Sequence, residues 1–516
     1  MLYSGVLAVA AAFVYRPHVA NGGFYLDDWS HASDFRDHGW WWMTAHLWRD
    51  VLPGRPILAA LLPVPYALLG NHPAAHLAMG VVLGVLTALC FYVFLRALSL
   101  ESLHAGTIAL LSLLFPWSEA ARLWPTASIN NLAVCAYLLG TVIALRGLRF
   151  EGRRAVLIHG LAVILYVLSV LIYEVAACAI LLSVLLYRTR APLRRAARRW
   201  LVDVVVVVSL LGVSAVYTSR VRHVGSLAER LADIPHFSRQ GLSIFASAFL
   251  PRALDAAPAK VVALLVVAGL IGRAAVVALD PRRRELRRWL SIFALATAGL
   301  VSAYVMFLGS TIYPLDGGLD TRLNIFAGLA FVTLSYAVLV ITAELLRLER
   351  GVLFAAIALA SVLLALNFGD RLRADIRRWD RATVLQRDFL SALKQTAQRP
   401  SAGSTIYTFG YPAEVPPGIP IFTHYWDMNG AVRLTFNDPS LDGRPIYVPG
   451  GVVCTRAFVY PTRFGLKYAS NYGKTLFVDL RAHKALVVRS QSRCDEAKKM
   501  FRPGALNASS KTSKFL

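Results

Sequence analysis

Acidic residues are scarce in this chain, and cysteine is scarcer. Of 516 residues, 30 are Asp or Glu against 54 Lys or Arg, and five are Cys. The resulting net charge of +24 would suit a nucleic-acid binder if the bases were gathered on one soluble face. They are not. The arginines flank long apolar runs, where they face anionic lipid headgroups, and nucleic acid is excluded as a partner. There is no Cys/His metal-ligand spacing, no glycine-rich phosphate loop, no nucleophile elbow and no repeat of solenoid period. These absences set aside zinc modules, P-loop nucleotide hydrolysis, serine-hydrolase chemistry and a repeat scaffold.

What the chain has in abundance is apolar sequence. Apolar residues make up 57% of it, and its mean hydropathy is +0.54, the range of helical membrane proteins with many spans. With roughly 20 residues per crossing as the measure, about eleven spans are expected. They lie near 1–16, 75–95, 104–116, 128–145, 155–173, 175–187, 200–218, 259–279, 289–309, 325–346 and 352–368. The first lacks the basic leader of a cleavable signal and reads as retained.

Charge then orients the spans. Arg146 to Arg154, Arg188 to Arg199, Arg282 to Arg288, and Arg347 with Arg350 form basic connections, which the positive-inside rule places in the cytoplasm. The loops 17–74, 117–127, 219–258 and 310–324 then fall outside, with everything after 369. The expected topology is N-in/C-out. Membrane lipids are the obligatory surroundings, and a bacterial inner membrane is the expected location, with the cell-surface chemistry on its outer side.

From Asp370 the composition changes. Residues 370–398 have helical periodicity, and short β-like runs follow at 405–409, 419–423, 431–436, 446–453, 475–478 and 485–488, separated by turn residues. The fold class is therefore an α-helical polytopic membrane protein with a small C-terminal α+β extracytoplasmic domain. The expected division is a membrane domain at 1–368, an outer domain at 369–502 and a disordered tail at 503–516. Cys90, Cys135 and Cys178 fall within spans and serve as small apolar residues. Cys454 and Cys494 fall outside, where a disulfide could persist, and the spacing leaves their pairing open. Tyr425, Trp426, Tyr447 and Tyr460 could stack on sugar rings or simply form core.

Candidate site residues are the polar groups that the outer loops hold at membrane level. Asp27 and Asp28 follow the first span and are bracketed by Phe24, Tyr25, Leu26 and Trp29. Such a pair can accept a proton from a hydroxyl or hold a divalent cation, the one cofactor to consider; the plainer alternative is a helix cap. The second outer loop, 115–124, crowds Glu119 and Arg122 between tryptophans and is followed by Asn130 and Asn131. Glu174 stands between two apolar runs with almost no loop around it, so its charge needs a partner. Arg322, followed by Asn324, opens a late span on the side where arginine is disfavoured. A guanidinium there suits a phosphate or phosphodiester, or pairs with Asp320 or Asp316. Arg55, His31, Arg220, Arg222 and His223 are weaker candidates of the same kind.

Taken in order, Asp27-Asp28, Pro116 with Glu119-Ala120, Tyr173-Glu174 and Arg322-Leu323-Asn324 resemble the signature elements of GT-C class glycosyltransferases. The resemblance spans residues 27 to 324. It departs from membrane O-mannosyltransferases of that class in Tyr173, where Lys is common, and in the closer spacing of Glu119 to Pro116. Leu323-Asn324 also stands where Tyr and Pro-Ser are common. The resemblance implies a class and leaves the sugar open. It implies inverting transfer of a sugar from a polyprenyl-phosphate carrier to a cell-envelope glycan or lipid acceptor, in cell-wall biogenesis. Asp27 and Asp28 would be the catalytic pair, and Arg322 with Arg122 would bind the donor phosphate. Glu119, Glu174, Asn324, Trp29 and Arg55 would line the substrate pocket.

The alternative is a transporter or flippase of a polyprenyl-linked glycan, with the acids as a proton site. Transporters place ionisable groups in mid-span; here the charges sit at span ends, with Asp203 and Arg273 the main exceptions.

Overall fold

The computed structural model describes residues 2–218, 226–309, 313, 315–447, 451–463 and 465–501. Arg220, Arg222, His223 and the 503–516 tail lie outside the described residues. The membrane part is built from helices α1 (Leu2–Asn21), α2 (Asp27–His46), α3 (Pro73–Ala97), α4 (Ser102–Leu114), α5 (Asn131–Gly147) and α6 (Gly152–Ile172). It continues with α7 (Leu193–Thr218), α8 (Leu227–Ala248), α9 (Ala257–Val277), α10 (Arg284–Val305), α11 (Asn324–Leu345) and α12 (Arg350–Ala397). Among the described residues, eight helices are long and apolar enough to cross a membrane: α3, α5, α6, α7 and α9 to α12.

The remaining expected spans differ for local reasons. α4 has 13 residues, because Pro116 forces Phe115 out of the helical region (φ −62°, ψ 114°). The 175–187 run splits into Ala177–Leu181 and Ser183–Tyr187. α1 is helical over 20 residues but is not among the eight. Two connections read as loops contain long helices. α2 opens on Asp27 itself, and α8 is started by Ser226, whose hydroxyl accepts from Glu229 N–H while the Glu229 carboxylate accepts from Ser226 N–H.

The basic connections meet at one end of the bundle. Arg190 donates to the Ala97 carbonyl at 2.6 Å and Arg288 to the Ser99 carbonyl at 2.6 Å, and Arg195 donates to the carbonyl of Phe150. The connections read as outer meet at the opposite end. There Arg55 pairs with Glu174, Trp124 donates to the Tyr25 carbonyl, and the buried His18 contacts Asp380 at 2.7 Å.

α12 joins this second end to the C-terminal part. Its 48 residues extend about 72 Å at 1.5 Å per residue, far beyond a hydrocarbon core of about 30 Å. The helix runs unbroken through residue 369, where the composition changes. Its first half is lipid-like and exposed, while its second half buries Trp379, Phe389 and Leu393.

The C-terminal part holds a four-stranded sheet, a three-stranded one and a two-stranded pair of Glu414–Val415 with Ile419–Pro420. The strands of the first two are β1 (Thr405–Phe409), β2 (Asp442–Pro445), β3 (Val452–Cys454), β4 (Phe458–Pro461), β5 (Ser470–Asn471), β6 (Thr475–Asp479) and β7 (Lys484–Val488). The larger sheet has the order β2-β1-β6-β7, parallel except for the β6–β7 hairpin. The smaller is the antiparallel set β3-β4-β5. A disulfide joins Cys454 to Cys494, tying β3 to α14 (Gln491–Met500).

Between β1 and β2 runs α13 (Tyr425–Phe436), which includes the 431–436 run read as β-like. Helix wins there because Asp427 caps its start, accepting from the N–H groups of Thr423 (2.8 Å) and His424 (3.0 Å). Asn437, with φ 52°, ends it. The 419–423 run keeps only Ile419–Pro420 as strand.

Candidate active site

The first turn of α2 carries both acids, and they have different surroundings. Asp28 is fully buried. Its Oδ2 accepts from Tyr25 N–H at 2.9 Å, and its Oδ1 accepts from Thr126 N–H at 2.9 Å and Thr126 Oγ1 at 2.6 Å. Burial pushes the carboxyl up to about 7, against the pull of those donors. Asp28 therefore clamps the start of α2 to the segment 125–128. The Trp124 indole reinforces the clamp by donating to the Tyr25 carbonyl at 3.0 Å.

Asp27 is half-buried. Its Oδ1 accepts from the indole Nε1 of Trp426 at 2.9 Å, a contact across 399 residues of sequence. Trp426 opens α13 and stacks on His424, with ring centroids 4.1 Å apart. α13 can come this close because residue 430 is glycine: a Cβ there would lie 2.1 Å from the Trp29 carbonyl oxygen. Trp29 itself packs edgewise on Phe24 and against Phe422. Beside Trp426, Asp427 is fully buried, and burial pushes its carboxyl up to about 8. The His424 ring is pushed down to about 3, by burial first and then by the positive charges of Arg463 and Arg322. It is neutral at physiological pH, and it shares a cationic field with Arg322.

Arg322 lies in the short turn Leu319–Leu323 ahead of α11. Its guanidinium sits over the Trp124 ring, 5.1 Å from the centroid, and pairs loosely with Asp320 at 3.6 Å. The turn is held from below. Glu119 Oε1 accepts from Gly318 N–H at 3.0 Å, and Thr321 Oγ1 accepts from Ala120 N–H at 3.1 Å. Asn324 donates to the Trp117 carbonyl at 2.7 Å and accepts from Tyr304 OH at 2.9 Å. Trp124 thus touches both the acid clamp and the arginine, and His424, which feels the charge of Arg322, stacks on the Trp426 that bonds Asp27.

Of the other expected site residues, Arg55 and Glu174 stay near the arginine, since Tyr173 feels the charges of Arg55, Arg322, Glu174 and Asp320 together. Arg55 and Glu174 bind each other in a two-pronged pair at 2.8 and 2.5 Å, with Arg55 also over the Tyr173 ring. Glu119 and Asn324 are buried and hold the arginine's turn, with Glu119 Oε2 left without a hydrogen-bond partner. Arg122 is buried and packs against α3, where Gly80 faces its carbonyl and Gly84 its Cγ and Cδ. The two acids differ as possible cation ligands. Both oxygens of Asp28 already accept from N–H or O–H groups, and the described residues contain no cluster of three or more metal-ligating side chains.

Thr126, His424, Asp427 and Arg463 were not singled out from sequence. Only Asp427 had a local signal, the cap-like Thr423-His424-Tyr425-Trp426-Asp427 before a helical stretch.

No family model matches the chain, and no curated protein matches it. Among solved structures it is similar to the archaeal oligosaccharyltransferase AglB from Archaeoglobus fulgidus in complex with an inhibitory peptide and a dolichol-phosphate. The TM-score is 0.43 at 13% identity, over 86% of this chain and 64% of that one. It is also similar to ArnT from Cupriavidus metallidurans bound to undecaprenyl phosphate, with a TM-score of 0.35 at 14% identity over 84% of each chain. The chain thus spans under two thirds of the length of AglB. Likenesses of this degree leave the reaction to be argued from the residues themselves.

Proposed function

We propose that this protein is an inverting glycosyltransferase that moves a sugar from a polyprenyl-phosphate carrier to a glycan or lipid acceptor on the extracytoplasmic face of the membrane. The observation that carries the reading is the placement of Asp27. It is a half-exposed carboxylate oriented by Trp426 and backed by a buried, fully bonded Asp28, and Trp426 stacks on His424, whose ring feels the charge of Arg322.

In this mechanism the acceptor hydroxyl oxygen attacks the anomeric carbon. Asp27 takes the hydroxyl proton, and the bond from that carbon to the phosphate oxygen breaks, its electron pair leaving with the polyprenyl phosphate. Arg322 offsets the charge that builds on the departing phosphate. Asp28 positions the turn that carries Asp27 and does not itself touch the substrate. The carrier's tail stays in lipid, which avoids a desorption penalty of about 0.8 kcal/mol per CH₂. No step is assigned to a cation.

The test is transfer by the full chain in lipid, read as release of polyprenyl phosphate from a sugar-loaded carrier. Asp27→Asn is expected to lower turnover by about 100- to 10,000-fold, the range for a lost general base, with carrier binding and thermal unfolding unchanged. Turnover at the wild-type rate in Asp27→Asn overturns the assignment.

A further inference from the structure

Arg122 is used by none of the chemistry above, and its surroundings call for a ligand of their own. It lies in the short helix Ala120–Leu123, packed against α3 so closely that a Cβ at Gly84 would stand 3.1 Å from its Cγ and Cδ. Nη1 donates to Ser118 Oγ at 3.2 Å and Nη2 donates to the Phe115 carbonyl. Nε is buried and has no hydrogen-bond partner. Both acceptors are neutral. Among the described residues no carboxylate lies within ion-pairing distance of Arg122; the Tyr15 ring lies 5.9 Å from its guanidinium, and the buried Glu119, whose Oε1 accepts from Gly318 N–H, lies in its field. Neither contact uses the Nε proton, and a buried donor left unspent carries a penalty.

The bundle has a cavity at this place, lined by Gly84, Thr87, Ser112, Ser118, Arg122 and Asn131 together with residues of α11. Most of its polar protons are already spent within the protein. Thr87 Oγ1 donates to Asn131 Oδ1 at 3.0 Å, Asn131 Nδ2 donates to the carbonyls of Ala121 and Ser128, and Ser112 Oγ donates to the Ala109 carbonyl. Two donors remain among the described residues: Arg122 Nε–H, and the Ser118 hydroxyl, whose oxygen accepts from Arg122 while its own proton has no acceptor there. Two unspent donors beside a guanidinium with no carboxylate at contact distance select, in this cavity, a small species that is negatively charged and only accepts.

We propose that this cavity binds a single halide ion, chloride in the cell, held by Arg122 Nε–H and Ser118 Oγ–H. The ion neutralises the arginine and fixes the segment 118–124, which carries Glu119 on one side and Trp124 on the other. The site is independent of the glycosyl-transfer reading.

The test is thermal unfolding of the purified full chain in chloride or bromide against gluconate at equal ionic strength. The midpoint is expected to rise saturably with halide, as for any ligand that binds only the folded state. Ser118→Ala should raise the half-saturating concentration about tenfold, the loss of roughly one hydrogen bond to a charged partner, and Arg122→Gln should abolish the dependence. Wild-type midpoints indifferent to halide, or an unchanged response in Ser118→Ala, overturn the proposal. Should Arg122→Gln fail to fold, bromide anomalous scattering from wild-type crystals decides. A peak beside Arg122 Nε and Ser118 Oγ is expected, and water-like density without anomalous signal at saturating bromide overturns the proposal.

Discussion

At the scale of single residues, the site rests on two hydrogen-bonded acids with opposite tasks. Trp426→Phe keeps the ring stacked on His424 and deletes only the N–H that orients Asp27. A hydrogen bond to a charged group is worth about 1.5–3 kcal/mol, so turnover should fall about 10- to 100-fold with little change in the unfolding midpoint. An unaltered rate would show that the indole does not orient the base. Asp28 makes a different prediction, in pH. Its carboxyl stands at about 7 in the fold, against 3.8 for the unperturbed group. The folded state therefore holds the proton more tightly, and the stabilisation is complete below pH 3.8 and lost as pH rises to about 7. Asp427, at about 8, adds a loss of the same sign. Unfolding midpoints of wild type should thus fall across this window, with a shallower fall in Asp28→Asn; equal slopes would contradict it. The acid pair was legible in sequence because carboxylates among aromatics at a membrane edge are rare. Which one is exposed and which is a clamp was not legible, because that depends on Thr126 and Trp426, which are remote in sequence.

At the scale of elements, the apolar helices were legible and the polar ones were not. A bilayer demands length and apolarity, and both are visible as composition. α2 and α8 stand on neither, and α13 reads as alternating β-like sequence over its last residues. What makes α13 a helix is its cap and its seat on α2, and that seat depends on one position. Gly430→Ala would place a Cβ 2.1 Å from the backbone of Trp29, and backbone cannot yield as a side chain can. α13 must then lift from α2, carrying Trp426 away from Asp27. The expected result is a loss of turnover at least as large as that of Trp426→Phe, together with a lower unfolding midpoint. Full activity would mean that the α2–α13 contact is not needed. By contrast Arg55 and Glu174 join two loops through a partly exposed pair, and Arg55→Ala should cost about 1 kcal/mol or less in stability.

At the scale of the whole molecule, the active-site assignment requires a particular sidedness. The basic connections gather at one end and the candidate site at the other, so a single measurement orients both. Lys484, in β7, and Arg153, at the start of α6, are exposed and lie in these two regions. Native thiols interfere little: Cys454 and Cys494 are bonded to each other, Cys90 and Cys135 are buried, and the half-buried Cys178 can be replaced by serine. In intact cells a membrane-impermeant maleimide is expected to label Lys484→Cys and to leave Arg153→Cys unlabelled until the membrane is permeabilised. The physical ground is the positive-inside bias, which acts on short basic loops next to spans. The reverse pattern would put Asp27 and Arg322 in the cytoplasm. A carrier-borne sugar would then be consumed on the inner leaflet, and the reaction proposed for the outer face would fail even with its residues correctly assigned.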